Sequence, residues 1–331
     1  MSSVSPEDLK TLVAQNHSKK IGGAGFHAER EIENCHRLGI SLISRSDGGY
    51  PAALKVLPDA PPLLYIQGEL IETDAYAVAI VGSRRASYYG LSQAARFARS
   101  LADCGLTIVS GMAMGVDQEA HRHALNAESG RTIGVLGCGL DIDYPQGSGD
   151  LRRRIARCGA VISEYPLGTL PLARNFPHRN RTIAGLSQGT LVIEANRRSG
   201  SLITARLALD YGRDVFALPG RADQASMQGN HQLIKEGAYL TDCPEDILSI
   251  LKPVLARVRE ITPAESSIYG SNPAQLCEEP SVVSILRQGD LTYDEILQGT
   301  NLDGASLGTL LLALELQGKV RKGRDGRYRL E

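Results

Sequence analysis

The stretch AVAIVGSRRASYYG, residues 77–90, decides the fold of this chain. It begins with an apolar run that ends at Gly82, and a segment with helical spacing follows it. A run that is apolar almost throughout is typical of a strand in a parallel sheet covered on both faces. Glycine at its end allows a tight strand-to-helix turn. The stretch therefore predicts the first strand and helix of a parallel sheet.

The same pattern recurs along the chain up to about residue 242. Further apolar runs are LTIVSG (106–111), TIGVLG (132–137), AVISEY (160–165), TLVIEA (190–195) and DVFALPG (214–220). Helical stretches lie between them, at Leu91–Cys104, Val116–Ala127, Ser201–Tyr211 and Asn230–Gly237. This alternation predicts an α/β fold, an extended Rossmann-like doubly wound parallel sheet with right-handed crossovers.

Changes in composition divide the chain into four segments. Residues 1–75 contain a charged helix and a proline-rich stretch, and are interpreted as an N-terminal extension that wraps the sheet domain. Residues 76–251 hold the Rossmann-like domain, and residues 252–279, with several prolines and serines, form a linker. Residues 280–331 predict a small C-terminal winged-helix domain. Its helices are expected near Val282–Leu286, Thr292–Gly299 and Leu302–Leu316, ahead of a basic β-hairpin.

Charge, hydropathy and cysteine spacing limit the classes of function. The net charge is −1, so a nucleic-acid partner would have to bind a local basic cleft. No apolar run approaches the roughly 18 residues that cross a bilayer, and the first residues do not resemble a secretory signal. The six cysteines include no C-x-x-C pair, which suits reduced thiols. These features predict a cytoplasmic globular protein without membrane contact.

The turn after the first strand has the features of an anion site. Such a turn places backbone N–H groups and a helix N-terminus at the carboxyl edge of the sheet. Arg84 adds a guanidinium fork suited to phosphate, so Gly82, Ser83 and Arg84 are candidate phosphate-binding residues. The chain has neither G-x-G-x-x-G at this turn nor a P-loop string, and no nucleotide cofactor is expected. Asp117 and His121 are spaced i,i+4, but so few ligands give little support to a metal site, and none is expected.

The segment PLARNFPHRNRTIAGLS, residues 171–187, is the most informative about function. We interpret it as a loop, broken by Pro171 and Pro177, in which arginines surround one aromatic ring. Arginines interleaved with an aromatic provide phosphate contacts and a face on which a base can stack. The candidate DNA-binding residues of this segment are Arg174, Phe176, Arg179, Asn180 and Arg181.

A second candidate turn follows the strand at 190–195. Ser199, Gly200 and Ser201 open the next helix, with Ser201 as the expected N-cap. This turn and the turn Gly82–Arg84 each follow a parallel strand, so both should emerge at the same edge of the sheet. The three segments are therefore predicted to form one cleft.

Several long motifs together resemble the DNA-processing protein A family, also called Smf. They are GSR at 82–84, SGMAMGVD at 110–117, GVLGCGLDIDYP at 134–145, SEYPLG at 163–168, FPHRNRTIAGLS at 176–187, SGSLITA at 199–205, VFALPG at 215–220 and GNHQLIKEGA at 229–238. The similarity spans roughly residues 42–245. It implies a homodimer that binds and protects incoming single-stranded DNA and helps to load a RecA-type recombinase during natural transformation. No enzymatic activity is expected.

Two other classes of function stay open at the level of the sequence. A Rossmann-fold nucleotide-cleaving enzyme, similar to the phosphoribohydrolases, could use Glu194 as its carboxylate, although the string P-G-G-x-G-T-x-x-E is absent. A winged-helix transcription regulator is disfavoured because the third C-terminal helix, 302–316, has no basic residue to reach base edges.

Overall fold

The computed structural model describes residues 4–16, 26–128 and 130–261, and from the C-terminal segment residues 286, 291–299, 307, 311, 320–323 and 327–330. The chain divides into two compact units, Met1–Glu265 and Ser266–Glu331. Within the described residues, no helix is long and apolar enough to cross a membrane.

A nine-stranded sheet forms the centre of the first unit, in the order β1-β2-β6-β5-β4-β3-β7-β8-β9. The strands are β1 (Ile40–Ser44), β2 (Leu63–Gly68), β3 (Ala77–Val81), β4 (Thr107–Ser110), β5 (Thr132–Leu136), β6 (Ala160–Ser163), β7 (Gly189–Val192), β8 (Asp214–Ala217) and β9 (Tyr239–Leu240). The strands from β6 to β9 run parallel, and β1 and β2 add an antiparallel pair beside β6. The predicted Rossmann-like sheet is confirmed.

Helices cover the sheet on both faces. They are α1 (Pro6–Asn16), α2 (Ala28–Arg37), α3 (Ala52–Lys55), α4 (Tyr88–Asp103), α5 (Val116–Ala124), α6 (Gly149–Cys158), α7 (Asn175–Leu186), α8 (Ser201–Asp210), α9 (Gln228–Lys235) and α10 (Pro244–Ile261). Alternate residues of β3 enter different cores: Ala79 packs with side chains of α7 and α8, and Ile80 with those of α4 and α5. Burial on both faces explains why the strand sequences are apolar throughout.

The described part of the N-terminal segment, residues 4–16 and 26–68, shares its core with the sheet. Leu9 of α1 and Cys35 of α2 pack in one cluster with Leu136 of β5 and Ile155 of α6. Strand β2 then pairs with β6 in antiparallel register. The N-terminal segment is therefore held to the parallel sheet by backbone hydrogen bonds as well as by apolar packing.

The strand order fixes where a ligand can bind. From β3 the chain winds outward through β4, β5 and β6, and then returns to place β7 on the other side of β3. In a doubly wound sheet, ligands bind outside the carboxyl ends of the strands at this switch point. The loops that follow β3 and β7 therefore lie side by side at the functional edge.

The segment 171–187 differs from its prediction as a loop, because residues Asn175–Leu186 form α7. Pro177 is the third residue of this helix. Amides of the first turn have no partner within a helix, so a proline there removes no helical hydrogen bond. The arginines of this segment are consequently placed by helical periodicity, on different sides of α7.

The second unit is described in part. A helix spans Tyr293–Gly299, and strands β10 (Val320–Lys322) and β11 (Tyr328–Leu330) pair antiparallel. Thr292 caps the helix as predicted: its Oγ1 accepts from the amide of Glu295 at 3.3 Å, and its amide donates to Oε2 of Glu295 at 2.7 Å. The predicted helices at 282–286 and 302–316 lie almost wholly outside the described residues, so the winged-helix domain stays a prediction.

Candidate nucleic-acid interface

A cleft of about 850 Å³ opens at the switch point of the sheet. Its walls come from the turns after β3 and β7, the loop after β4 and the first turns of α7 and α8. The predicted site residues that line it are Gly82, Ser83, Arg84, Phe176, Arg179, Asn180, Ser199, Gly200 and Ser201. Arg174 is exposed beside the cleft without lining it, and Arg181 lies on another side of α7.

The turn after β3 is bound to the loop after β4. The amide of Val116 donates to the carbonyl of Ser83 at 3.2 Å. Gly115 adopts a φ of +81°, and a Cβ at this position would lie 2.3 Å from the carbonyl oxygen of Ser83. Only glycine combines this conformation with so close an approach of two backbones. The contact fixes the height of Ser83 and Arg84 above the sheet.

Arg179 holds the floor of the cleft and is only 4% exposed. Its Nη1 donates to the carbonyl of Gly111, just after β4, at 2.7 Å, and also to the carbonyl of Val135 in β5. Its Nε donates to Oδ1 of Asn180 at 3.2 Å. A guanidinium used in this way positions α7 across the strand ends. The sequence predicted a phosphate ligand here, whereas the structure gives Arg179 internal partners.

Two asparagines of α7 make similar contacts with neighbouring loops. Nδ2 of Asn175 donates to the carbonyls of Gly137, after β5, at 3.1 Å and of Leu170 at 3.3 Å. Nδ2 of Asn180 donates to the carbonyl of Gly200, after β7, at 3.3 Å. Polar side chains of one helix therefore connect the loops that surround the cleft.

Phe176 carries two guanidinium groups near its ring. The Cζ of Arg84 lies 5.1 Å from the ring centroid and that of Arg179 lies 5.9 Å from it, both within cation–π range. The ring of Tyr144 is 5.4 Å away. Arg84 is exposed, and within the described part of the chain its guanidinium donates no hydrogen bond. Arg84 also lines the cleft, so its guanidinium is accessible there, in contrast to that of Arg179.

Asp117 faces Arg179 at the base of the cleft and is 6% exposed. Burial raises the pKa of its carboxyl to about 6, although the Arg179 guanidinium and the amides of Ala113 and Gly111 lower it. Because this pKa is above its unfolded value, Asp117 favours the folded state more as the pH falls from about 6 towards 4. Near neutral pH it is ionised and offsets the buried charge of Arg179. Asp117 therefore interacts with these neighbouring groups. His121, four residues further along α5, is buried with its Nδ1 2.7 Å from Oγ1 of Thr132.

Glu194 follows β7 and caps α4 across the switch point. Its carboxylate accepts the amide of Ser87 at 3.1 and 3.2 Å and the Ser87 hydroxyl at 2.5 Å. Ser87 is the N-cap of α4, and its Oγ also accepts from the amide of Gly90 at 3.1 Å. The carboxylate that the sequence left open for an enzyme is therefore tied to a helix terminus.

The turn before α8 differs slightly from its prediction. The N-cap position is occupied by Gly200, and Ser201 is the first helical residue. The hydroxyl of Ser199 accepts from the amide of Ser201 at 3.3 Å and lies 2.7 Å from the hydroxyl of Ser201. Ser199 thus does the capping that was expected of Ser201, and the N-terminus of α8 points into the cleft.

Arg181 serves the structure rather than the cleft. Its Nη2 donates to Oε2 of the fully buried Glu164 side chain at 2.5 Å, and its Nη1 donates to the carbonyl of Asp59. Burial opposes the charge of Arg181, but the Glu164 carboxylate more than offsets this and raises the pKa of Arg181. Tyr211, the C-cap of α8, donates to the Asp59 carboxylate at 2.7 and 2.9 Å. The proline-rich segment is thereby tied to α7 and α8.

Among the cleft residues that were not predicted from the sequence are Arg85 and Tyr144. Arg85 lines the cleft beside Arg84 and is exposed. Its position next to Arg84 in the same turn is the sequence feature that could have identified it. Tyr144 reaches the ring of Phe176 from the segment between β5 and α6. The contact between Tyr144 and Phe176 depends on tertiary packing, so no local sequence pattern predicts it.

A doubly wound sheet with a cleft between glycine-rich turns at its switch point defines a Rossmann-like protein. The family profile of DNA recombination-mediator protein A matches residues 41–252, and the chain belongs to this family. The recombination-mediator function predicted from the sequence is confirmed at the level of the family.

Curated relatives share much of the chain. Protein Smf of Escherichia coli K12 is 39% identical over 291 residues, which cover 87% of this chain and 77% of that protein. DNA processing protein DprA of Streptococcus pneumoniae is 44% identical over 203 residues, which cover 61% of this chain and 71% of that protein.

Solved structures of relatives have the same fold. The X-ray structure of DNA processing protein A from Streptococcus pneumoniae matches with a TM-score of 0.63 at 35% identity, covering 75% of this chain and 98% of that one. A structure of the Helicobacter pylori protein, described as giving insights into its unique single-stranded DNA binding mode, matches with a TM-score of 0.58 at 33% identity. It covers 65% of this chain and 96% of that one.

We expect Gly115→Ala to separate the two turns at the cleft. A Cβ here would meet the Ser83 carbonyl, whereas Gly105, with the same φ of +81°, has no atom within 4 Å of its Cβ position. Gly105→Ala should therefore lower the free energy of unfolding by the about 1–2 kcal/mol of a left-handed residue. Gly115→Ala should cost about 1–3 kcal/mol more, because its ψ of −127° lies outside the left-handed helical region and a Cβ would also overlap the Ser83 carbonyl. Urea unfolding of both variants measures the difference, and equal losses would contradict the close contact.

We expect Arg181→Ala to destabilise the fold by about 3–5 kcal/mol, because it leaves the buried Glu164 carboxylate without its cation. The matched control is Arg153→Ala, which breaks the exposed pair with Asp150. That loss should be below about 1 kcal/mol. Urea titrations monitored by circular dichroism compare the two variants. Similar midpoints for both would show that the Glu164 pair is not a structural contact.

Proposed function

We propose that this chain is a nonenzymatic recombination mediator that binds single-stranded DNA in the cleft at the switch point. The observation that carries the proposal is the state of Arg84. Its guanidinium is exposed at the mouth of the cleft, lies over the ring of Phe176, and donates no hydrogen bond within the described part of the chain. A cation and an aromatic ring held together in this way suit a phosphate and its neighbouring base.

The surroundings of Arg84 favour a polyanion. The N-terminus of α8 borders the cleft, and the positive end of its helix dipole favours phosphate. Arg85, Arg197 and Arg198 are exposed on the two turns that follow β3 and β7. This local excess of positive charge can attract DNA, although the net charge of the whole chain is −1.

The single-stranded form is favoured over duplex DNA. Arginines beside an aromatic ring contact a backbone and a splayed base, a combination that tolerates any sequence. The Helicobacter pylori relative, whose structure is described in terms of its single-stranded DNA binding mode, matches 65% of this chain and supports the same ligand here.

The experiment that tests the function is a titration of labelled oligo-dT and of a duplex of equal length, with EDTA and without nucleotide. Tighter binding of oligo-dT is expected, together with survival of binding under these conditions. The same design includes Arg84→Ala and, on strand β10, Arg321→Ala, over a range of salt. Removing Arg84 should weaken binding more and lower the salt slope by roughly 0.7, the value for one phosphate contact on a single strand.

The outcomes separate two errors. Equal affinity for duplex and single strand at matched salt would contradict the proposed ligand. If Arg321→Ala loses as much affinity as Arg84→Ala, or if Arg84→Ala leaves the salt slope unchanged, the ligand stands but the site is misplaced. A nucleotide turned over in parallel assays would favour the enzyme alternative, although the capping role of Glu194 counts against it.

We further propose a homodimer that acts in the cytoplasm with a RecA-type recombinase. Strand β9 forms the edge of the sheet, and its Tyr239 and Leu240 are 43% and 53% exposed. An apolar edge strand suits pairing with a second copy. Sedimentation of the wild type and Leu240→Asp measures this: the variant should be monomeric, and an unchanged dimer would exclude β9. Recombinase loading is measured by filament formation on the bound single strand.

A further inference from the structure

The first turn of α4 presents an aromatic side chain that the fold does not use. Tyr88 is 89% exposed, the largest exposed fraction among the large apolar side chains of the described residues. Its hydroxyl makes no hydrogen bond in the described part of the chain. The adjacent Tyr89 differs, because its hydroxyl donates to the carbonyl of Pro219 at 3.2 Å and ties α4 to the loop after β8. Packing therefore explains Tyr89 and leaves Tyr88 unexplained.

The backbone of Tyr88 is held rigidly beside the cleft. Ser87, the preceding residue, caps α4 and is bound by the Glu194 carboxylate, which lines the cleft. On the other side, Gly90 packs so close to Glu194 that a Cβ would lie 2.5 Å from its Oε2. Tyr88 is thus fixed between two residues that touch the cleft wall. A backbone that is already fixed by these contacts loses less conformational entropy when a ligand binds the ring.

The charges next to Tyr88 indicate what it would contact. Arg84 and Arg85 line the cleft and are exposed, and the Cα of Tyr88 lies within about 11 Å of that of Arg85 along the chain. A strand whose phosphates lie on these arginines must place its bases close by. An exposed phenol ring then offers a further stacking face in addition to that of Phe176.

We propose that Tyr88 is a base-stacking residue that extends the single-stranded DNA site from the cleft onto the first turn of α4. The proposal rests on the proposed function and adds to it a residue that recognises bases rather than phosphates. Stacking on a ring is tolerant of sequence, so this contact would lengthen the site without making it specific.

The test measures binding of Tyr88→Ala and Tyr88→Phe to oligo-dT of about 20 nucleotides, longer than a typical single site. Tyr88→Ala should lose about 5- to 150-fold in affinity, the range for one stacked base, with the salt slope unchanged. Tyr88→Phe, which keeps the ring, should remain within about twofold of the wild type. On an abasic oligomer of equal length, the wild type and Tyr88→Ala should bind alike.

The control is Val56→Ala, which removes another exposed apolar side chain, 75% accessible, far from the cleft. Val56 follows α3, and its neighbours Leu54 and Leu57 pack against Gly185 near the C-terminal end of α7. Neither variant should change the melting temperature, since both positions are exposed.

Each outcome decides a separate question. If the wild type binds no oligo-dT, the proposed function fails and Tyr88 with it. If the wild type binds and Tyr88→Ala binds equally well, only the stacking role is overturned. A loss of equal size on the abasic oligomer, or a lowered salt slope, would also overturn it, because the ring would then act through the backbone.

Discussion

The buried guanidinium of Arg179 is the contact on which the cleft depends. It joins α7 to the carbonyls that end β4 and β5, and Asp117 lies opposite it. A buried arginine is tolerated only where its donors and its charge are matched, and here carbonyls and one carboxylate provide the match. With α7 fixed in this way, Phe176 and Asn180 reach the same opening as the turns after β3 and β7.

The arginines around the cleft fall into two groups, those with partners inside the fold and those exposed to solvent. Arg179 and Arg181 both belong to α7, yet each is directed inwards, to strand ends and to Glu164 respectively. Arg84 donates no hydrogen bond to the described residues and stays in contact with solvent, although it adds to the electrostatic stabilisation of Asp117. Burial decides the difference, because a paired arginine inside the fold contributes little attraction at the surface. The local field that a phosphate would meet comes from the exposed turns.

The fold could be predicted from the sequence to a large extent because parallel strands leave a strong pattern. The ends of strands β3 to β8 were predicted to within three residues. The convergence of Gly82–Arg84 with Ser199–Ser201 follows from strand direction alone. The prediction was wrong about 175–186, where Pro171 and Pro177 suggested a loop and the first turn of a helix accommodates a proline. Because the segment is helical, Arg179 and Arg181 contact groups inside the fold instead of solvent. The composition of the segment does not indicate this. Tyr144 could not be predicted, because its contact with Phe176 is purely tertiary.

The way α7 connects the loops also bears on how the protein folds. Its side chains contact Gly111, Val135, Gly137 and Gly200, which are separated from it by 20 to 68 positions in the chain. Such non-local contacts form slowly, because a long loop must close before any of them stabilises the chain. The opening therefore cannot exist in a partly folded chain that has its strands but has not yet docked α7. Competence to bind is in this sense a late event of folding, and a nascent chain acquires it only after β7 and the turn beyond it have been made.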